Sequence, residues 1–426
     1  MTLDRTVAPA FQPIREIQIM PLQTIHLQNN APLHWLNAGD SPVLKLEVLF
    51  KVGQAHESKN GVNQLTIKML SEGTTNRTSQ QITQHFDYYG AFLETNAGND
   101  RSSVILYCLT KHLESVLPAF CELLIEANFP ISELEKVKQI TSQNQRVQEE
   151  KNNYQAQVLF REHLFGLDNA YGRTPSSHDF LQITREEVVA HYEKFIEHKD
   201  FEVFLVGQIS EKEIALINQH VGKIAIQSPE TPKLQTQPHI YAGKELLVEK
   251  TESLQSSVRI GKMCIDRKHP DFFGFKILNE IFGGYFGSRL MSNIREDKGY
   301  TYGIYSSIIN LHRASYLTMG ADVKKEFTQQ TLDEISKEIK ILQTELVSAD
   351  ELERVRNYML GSLAGSMNTA FDLSEVFKGI YFSGLGYEYY TNYVKTIQTI
   401  TSEQLRYIAQ TYLHMEEMLT VIVGGK

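Results

Sequence analysis

The sequence predicts an α+β protein built from two homologous halves, each a mixed, mostly antiparallel sheet packed with helices. Blocks of sequence recur at a nearly constant spacing, which is the signature of an internal duplication. Within each block, segments alternating with period two are interleaved with segments of helical period, in the order strand, helix, strands, helices, strand. A proline-rich stretch without periodic apolar residues separates the two copies.

The repeat is explicit. Ile183-Thr-Arg-Glu-Glu-Val-Val, followed by Phe195 and Phe204-Leu-Val-Gly207, returns at one constant offset as Ile400-Thr-Ser-Glu-Gln-Leu-Arg, Tyr412 and Val421-Ile-Val-Gly424. Leu134-Glu-Lys-Val137 returns as Leu352-Glu-Arg-Val355 with the offset larger by a single position. Nearer the start of each half, Gly73 after IKMLSE faces Gly283 after ILNEIF, at a slightly smaller offset. So small a drift implies short insertions only. The join falls in 226–243, IQSPETPKLQTQPHIYAG, whose three prolines keep a linker semi-extended. The halves are then 1–228 and 243–426, each long enough to bury its own core.

Leu44-Lys-Leu-Glu-Val-Leu-Phe50 alternates and suits a strand, as does Val104-Ile-Leu-Tyr-Cys-Leu109. Val62 to Leu70 and His112 to Ala127 carry helical apolar spacing. Ser132 is a candidate N-cap for the next helix, with Glu133 and Glu135 near the positive end of its dipole. Thr184-Arg-Glu-Glu187 and Thr401-Ser-Glu-Gln404 each fit a capping box, one per half. Ser288 to Glu296 reads as a helix with Leu290 and Ile294 on its apolar stripe and Gly299 just past its end. Tyr300 to Tyr305 alternates like a strand leaving that helix.

Composition narrows the function. The 426 residues are 42% hydrophobic and 22% charged with a formal net charge of -9, which excludes a disordered chain and disfavours nucleic acid or anionic membrane as partner. No apolar run is long enough for a membrane span, and the N-terminal residues lack a basic stretch followed by an apolar core, so a cytoplasmic location is expected. Cys108, Cys121 and Cys264 form no CxxC or zinc-finger spacing and read as buried, inert thiols.

One family carries this pattern of residues. Asn279-Glu-Ile-Phe-Gly-Gly284, Ser288-Arg-Leu290 and Ile294-Arg-Glu-Asp-Lys-Gly-Tyr-Thr-Tyr302 resemble the second half of the M16 (pitrilysin/insulinase) peptidases, which include the mitochondrial processing peptidases and small bacterial relatives. The first half matches through Gly61-Val62 to Glu72-Gly-Thr74, Gly90 to Ala97 and Tyr171-Gly-Arg173. The resemblance implies halves facing each other as a clam shell. It also implies a zinc motif, His-x-x-Glu-His, on a helix of the first half, because imidazoles at i and i+4 share a face and the glutamate activates the metal-bound water.

That motif is absent. Gln64 and Lys68 stand at the histidine positions and Ile67 at the catalytic glutamate, with Asn144 aligned near the third ligand. An ammonium has no lone pair and repels a cation, isoleucine accepts no proton, and amides are weak zinc ligands. The 14 histidines include no His-x-x-x-His pair, and Glu162-His163 reads as an ordinary helix-surface or core pair. No metal or other cofactor is therefore expected on this chain.

The second half keeps Arg295 and Tyr302, matching the Arg/Tyr pair with which active family members hold substrate carbonyls near the scissile bond. A planar, always charged guanidinium and a directional phenol suit that task. The plain alternatives are a surface ion pair of Arg295 with Glu296 or Asp297 and a half-buried strand tyrosine. Gly283-Gly284 reads as a helix C-cap turn, and Gly90 to Ala97 resembles the strand to which peptide adds as an extra edge. The resemblance implies a subunit inactive alone, supplying Arg295 and Tyr302 to a peptide or unfolded polypeptide cut at the zinc of a partner with an intact His-x-x-Glu-His. The other reading is a non-catalytic scaffold or peptide-binding homologue, like the core proteins of respiratory complexes.

Overall fold

The computed structural model describes Thr6, Ile14 and residues 17–227 and 244–426. The expected linker at 226–243 lies almost wholly outside the described residues. Strands β1 (Gln23–His26), β2 (Pro32–Asn37), β3 (Val43–Phe50), β4 (Phe92–Ala97), β5 (Ser102–Leu109) and β6 (Phe201–Gly207) form one sheet in the order β1-β2-β6-β3-β5-β4. Strands β7 (Glu245–Glu249), β8 (Gln255–Met263), β9 (Thr301–Asn310), β10 (Ser315–Lys324) and β11 (Leu419–Gly424) form the other, ordered β7-β11-β8-β10-β9. Apart from β1 the two orders correspond strand for strand. Each sheet has one parallel pair, β2 with β6 and β7 with β11, and is otherwise antiparallel.

The repeat seen in the sequence is a repeat of elements. Helix Arg185–Phe195 returns as Ser402–Tyr412 at the offset of the sequence repeat, and helix Ile131–Glu149 returns as Ala349–Gly365. Both capping boxes form: Thr184 and Thr401 cap their helices, and Glu187 and Gln404 accept from the cap backbone at 2.9 Å each. Ser132 does not cap. Pro130, fixed at φ -61, is the N-cap residue, so the helix starts at Ile131 with Ser132 inside its first turn.

Both central strands are buried on both faces, β6 along its whole length. On one face of the first sheet, Leu44, Leu46, Val48 and Phe50 join a core with that half's own helices. The other face is covered from the second half: Ala370, Leu373 and Phe377 of helix Ala370–Tyr381 pack on Leu36, Leu49, Phe204 and Val206. Reciprocally, Ala156, Phe160 and Leu164 of helix Asn152–Phe165 pack on Tyr316, Leu419, Val421 and Val423 of the second sheet. The starts of the two exchanged helices, Asn152 and Ala370, are separated as Leu134 and Leu352 are, so the helices are equivalent members of the repeat. Each half therefore completes its core with a helix of the other, which length alone did not foretell.

A ring of alternating charges pins one exchanged helix. Lys45 Nζ donates to Glu375 Oε1 at 2.6 Å and lies 3.1 Å from Glu47 Oε2, while Lys378 Nζ contacts Glu47 at 2.7 Å and Glu375 at 2.8 Å. Burial alone would lower the pKa of Lys45, but Glu47 and Glu375 outweigh it and hold the ammonium above its usual value. Cys108 and Cys121 are buried and Cys264 half-buried, all free, and burial pushes each thiol up to about 12. Among the described residues no helix is long and apolar enough to cross a membrane.

Candidate functional site

Helix Val62–Met69 carries the degenerate metal positions. It starts at Gly61, whose φ of 89° favours glycine and where an added Cβ would sit 2.7 Å from the Phe180 ring. The Glu57 carboxylate holds this start, accepting from the backbone N–H of Gly61 and of Asn63 at 3.1 Å each. Burial pushes Glu57 up to about 7, against the lowering effect of those two hydrogen bonds. Beside it, Asn63 Nδ2 donates to Ser102 Oγ at 3.1 Å, and His191 Nε2 lies 3.1 Å from Asn63 Oδ1.

Gln64 and Lys68 are half-buried, one turn apart, whereas Ile67 is fully buried in the core of the first half. Lys68 Nζ donates to Thr141 Oγ1 at 3.1 Å on helix Ile131–Glu149. Asn144, the position aligned near the third ligand, lies further along that helix and is exposed. Burial lowers the pKa of Lys68. An amide, an aliphatic side chain and an ammonium bonded to a hydroxyl do not fit a zinc ion. Among the described residues no group of three or more His, Cys, Asp or Glu side chains could hold a metal ion.

Arg295 lies in helix 289–297, whose last part, Met291–Asp297, winds in wide π-type turns, with Lys298 N–H donating to Asn293 O at 3.1 Å. Leu290 and Ile294 are fully buried, as their spacing predicted, and Gly299 takes φ 67 just past the end. Among the described residues no carboxylate lies within ion-pairing distance of Arg295; its guanidinium stacks on Phe286, with Cζ 4.5 Å from the ring centre. Phe286 is itself 64% exposed. Neither neighbouring acid, Glu296 nor Asp297, engages the arginine.

Tyr302 sits near the start of β9, the edge strand of the second sheet. Thr301 pairs with Val323 and Ile304 with Ala321, so Tyr302 and Gly303 together face the single Asp322, a β-bulge that re-aims the tyrosine. The ring is 91% exposed, not half-buried. By register it shares a sheet face with Tyr305, whose ring lies over Gly320; a Cβ there would fall 2.6 Å from the Tyr305 hydroxyl. Arg295 and Tyr302 therefore stand on two elements joined by the short turn at Gly299, Tyr302 exposed and Arg295 half-buried. Phe286, the platform under the guanidinium, was missed: a lone exposed aromatic has no spacing signal.

The glycines before this segment serve close approach, not a left-handed cap. Gly283 lies in the wide turn Glu280–Gly284, and an added Cβ would be 2.8 Å from the backbone N of Ser306 on β9. β4, within the stretch Gly90 to Ala97, is one of the two edge strands of the first sheet, its residues alternating exposed and half-buried.

The description Insulinase (Peptidase family M16) matches residues 37–166, and Peptidase M16 inactive domain matches residues 182–359. The chain belongs to the M16 peptidase family. Among similar M16 proteins, one of Helicobacter pylori named non-peptidase homolog YmxG is 22% identical over 90% of this chain and 90% of its own length. An uncharacterized zinc protease, YmxG of Bacillus subtilis, is 21% identical over 74% of this chain and 77% of its own. The crystal structure of a peptidase M16 inactive domain from Pseudomonas fluorescens shares the fold at TM-score 0.86 and 24% identity, covering 96% of this chain and 99% of that one. The M16 fold and a first half without the M16 zinc ligands are thus both properties of this chain.

Proposed function

We propose that this chain is the non-metal-binding subunit of an M16 heterodimeric zinc peptidase. Its halves, 1–228 and 243–426, would enclose a chamber with a similar-sized partner bearing an intact His-x-x-Glu-His, and Arg295 and Tyr302 would hold the peptide cut at the partner's zinc. The observation that carries this reading is the contrast between halves. Gln64, Ile67 and Lys68 remove metal chemistry from the first, while in the second Tyr302 is exposed, Arg295 is half-buried against Phe286, and neither engages a carboxylate or hydroxyl partner among the described residues. A guanidinium and a phenol with no carboxylate or hydroxyl partner among the described residues are donors a peptide backbone can use, and in a closed, dry chamber each such donor contributes on the order of 3 kcal/mol.

The test is reconstitution. The purified chain alone is expected to hold no stoichiometric zinc and to cleave no peptide; adding the His-x-x-Glu-His chain that co-purifies with it from the native cell should yield peptidase activity. Tight zinc with turnover by the isolated chain would overturn the proposal. Failure of any such chain to co-purify, with peptide bound but never cut, would move the protein to the scaffold reading.

A further inference from the structure

The seam between the halves holds a cavity that the subunit role leaves unused. It measures about 520 Å³ and opens where Leu49 and Arg101 of the first half meet Arg267, Lys268, His312 and Phe382 of the second. That volume falls within the span of small-ligand sites, roughly 300–1,000 Å³.

Its charges do not balance. Arg101, Arg267, Lys268 and Lys378 line the cavity against two acids, Asp266 and Glu375. Glu375 is already committed to Lys45 and Lys378 at 2.6 and 2.8 Å. Among the described residues no carboxylate lies within ion-pairing distance of Arg101, Arg267 or Lys268. Arg101 has its Cζ 3.8 Å from the Phe382 ring centre and its Nη2 3.1 Å from His312 Nδ1. Arginine only donates, so Nδ1 accepts and His312 is neutral there. Arg267 Nη1 donates to Gly379 O.

A purely structural account is that these cations complement the C-terminal end of helix Ala370–Tyr381, where Gly379 lies. That end carries about half a negative charge, enough to offset part of one cation and not three. Burial is the main influence on the neighbouring titratable groups, and the cations add to it against Asp100 and Glu280. Burial and then the Arg101 guanidinium lower the pKa of His312, and burial and then Arg267 lower Lys276, in the adjoining cavity, to about 8. In a chain of net charge -9, this is a local concentration of positive charge, with Asp266 in the lining and with Asp100 and Glu202 acting on Arg101 from beyond ion-pairing distance.

We propose that the seam cavity is an oxyanion site for a small ligand with a carboxylate or phosphate group, gripped by Arg101, Arg267 and Lys268, with Leu49 and Phe382 against its apolar part. Guanidinium pairs match both oxyanions bidentately. Because Arg101 precedes β5 and Arg267 follows β8, an occupant would tie one half to the other. The site needs no partner subunit, so its failure would leave the peptidase-subunit reading untouched.

Isothermal titration calorimetry on the purified chain tests it with three probes: inorganic phosphate, an acetylated tripeptide with a free C-terminal carboxylate, and the same tripeptide amidated. Saturable binding of phosphate or the free-acid peptide is expected, with none of the amide. Phosphate alone identifies a free-anion site; the free-acid peptide identifies a polypeptide terminus. Arg101→Gln and Lys268→Gln should each weaken binding at least about tenfold. Lys268 is exposed, so that variant keeps the test valid should Arg101→Gln fail to fold, which circular dichroism reports. No saturable binding of either anion, equal binding of the amide, or unchanged affinity in the folded variants would overturn the proposal.

Discussion

The Lys68 ammonium donates to Thr141 Oγ1 across 3.1 Å, joining helix Val62–Met69 to helix Ile131–Glu149 where zinc-binding M16 chains place metal ligands. A cation thus occupies the region that would otherwise be built to hold one. The substitution does more than delete a ligand: a positive charge there repels Zn²⁺, and Ile67 beside it gives the core an aliphatic side chain in place of a carboxylate.

Lys68→Met should leave the fold intact and stabilise it at neutral pH, by up to about 1 kcal/mol, since a partly buried charge with no ion-pair partner among the described residues is replaced by an apolar chain of similar length. The pH dependence has a definite sign. Burial lowers the folded-state pKa below the usual 10.5, so the native state penalises the charged lysine at neutral pH. Its contribution improves as pH rises toward 10.5. Urea unfolding at neutral and mildly alkaline pH should show the wild type gaining on the variant; a constant difference would contradict the assignment.

Glu57 predicts the mirror case on the acid side. Burial raises its folded-state pKa from 4.5 to about 7 even though its carboxylate accepts from Gly61 and Asn63. Its contribution to stability is therefore fully present below pH 4.5 and is lost as pH rises to about 7. Glu57→Gln cannot titrate, so the wild-type minus variant difference in unfolding free energy should fall across that window and flatten above it. Measuring the difference cancels the opposite slopes of ordinary carboxylates. A flat difference from end to end would mean that folding does not shift the Glu57 pKa.

Arg295→Ala and Tyr302→Phe separate function from structure. With Tyr302 91% exposed, loss of its hydroxyl should change stability by less than about 0.5 kcal/mol. In the reconstituted peptidase the same change should lower kcat/KM at least about tenfold, or about 1.4 kcal/mol of transition-state stabilisation. Phe286→Ala, which removes the platform under the guanidinium, should weaken activity in the same direction as Arg295→Ala but less. Unchanged kinetics in all three would make this corner of the chain structural.

The duplication, the capping boxes and most strand and helix positions were legible because each is encoded locally, in a spacing or a dipeptide pattern. The candidate pair at 295 and 302 was legible because its motif is contiguous. Other features were not. Phe160 and Phe377 each mark an apolar helix face, but periodicity does not say which sheet that face will meet, so the helix exchange stayed hidden. Ser132 looked like a cap because Pro130, which caps without a side chain, leaves no signature of its own. Gly283 looked like a helix end, whereas its lack of a Cβ is required by Ser306, distant in sequence. The seam cations at 101, 267 and 268 come together only through the fold.

The helix exchange predicts that the halves unfold as one unit. Trp35, the single tryptophan, lies on β2 of the first sheet and reports on that half alone. Phe160 lies on the helix that the first half sends to the second sheet, 2% exposed and packed against Tyr316. Phe160→Ala should cost about 3–5 kcal/mol by cavity formation at the second sheet. If the exchanged helices lock the sheets together, guanidinium unfolding followed by Trp35 fluorescence should shift to lower denaturant by the same amount as the transition followed by circular dichroism. Phe377→Ala, which opens a cavity under the reciprocal helix at the first sheet, should shift both probes likewise. Two separate transitions, with Trp35 insensitive to Phe160→Ala, would mean that the halves fold independently despite the exchange.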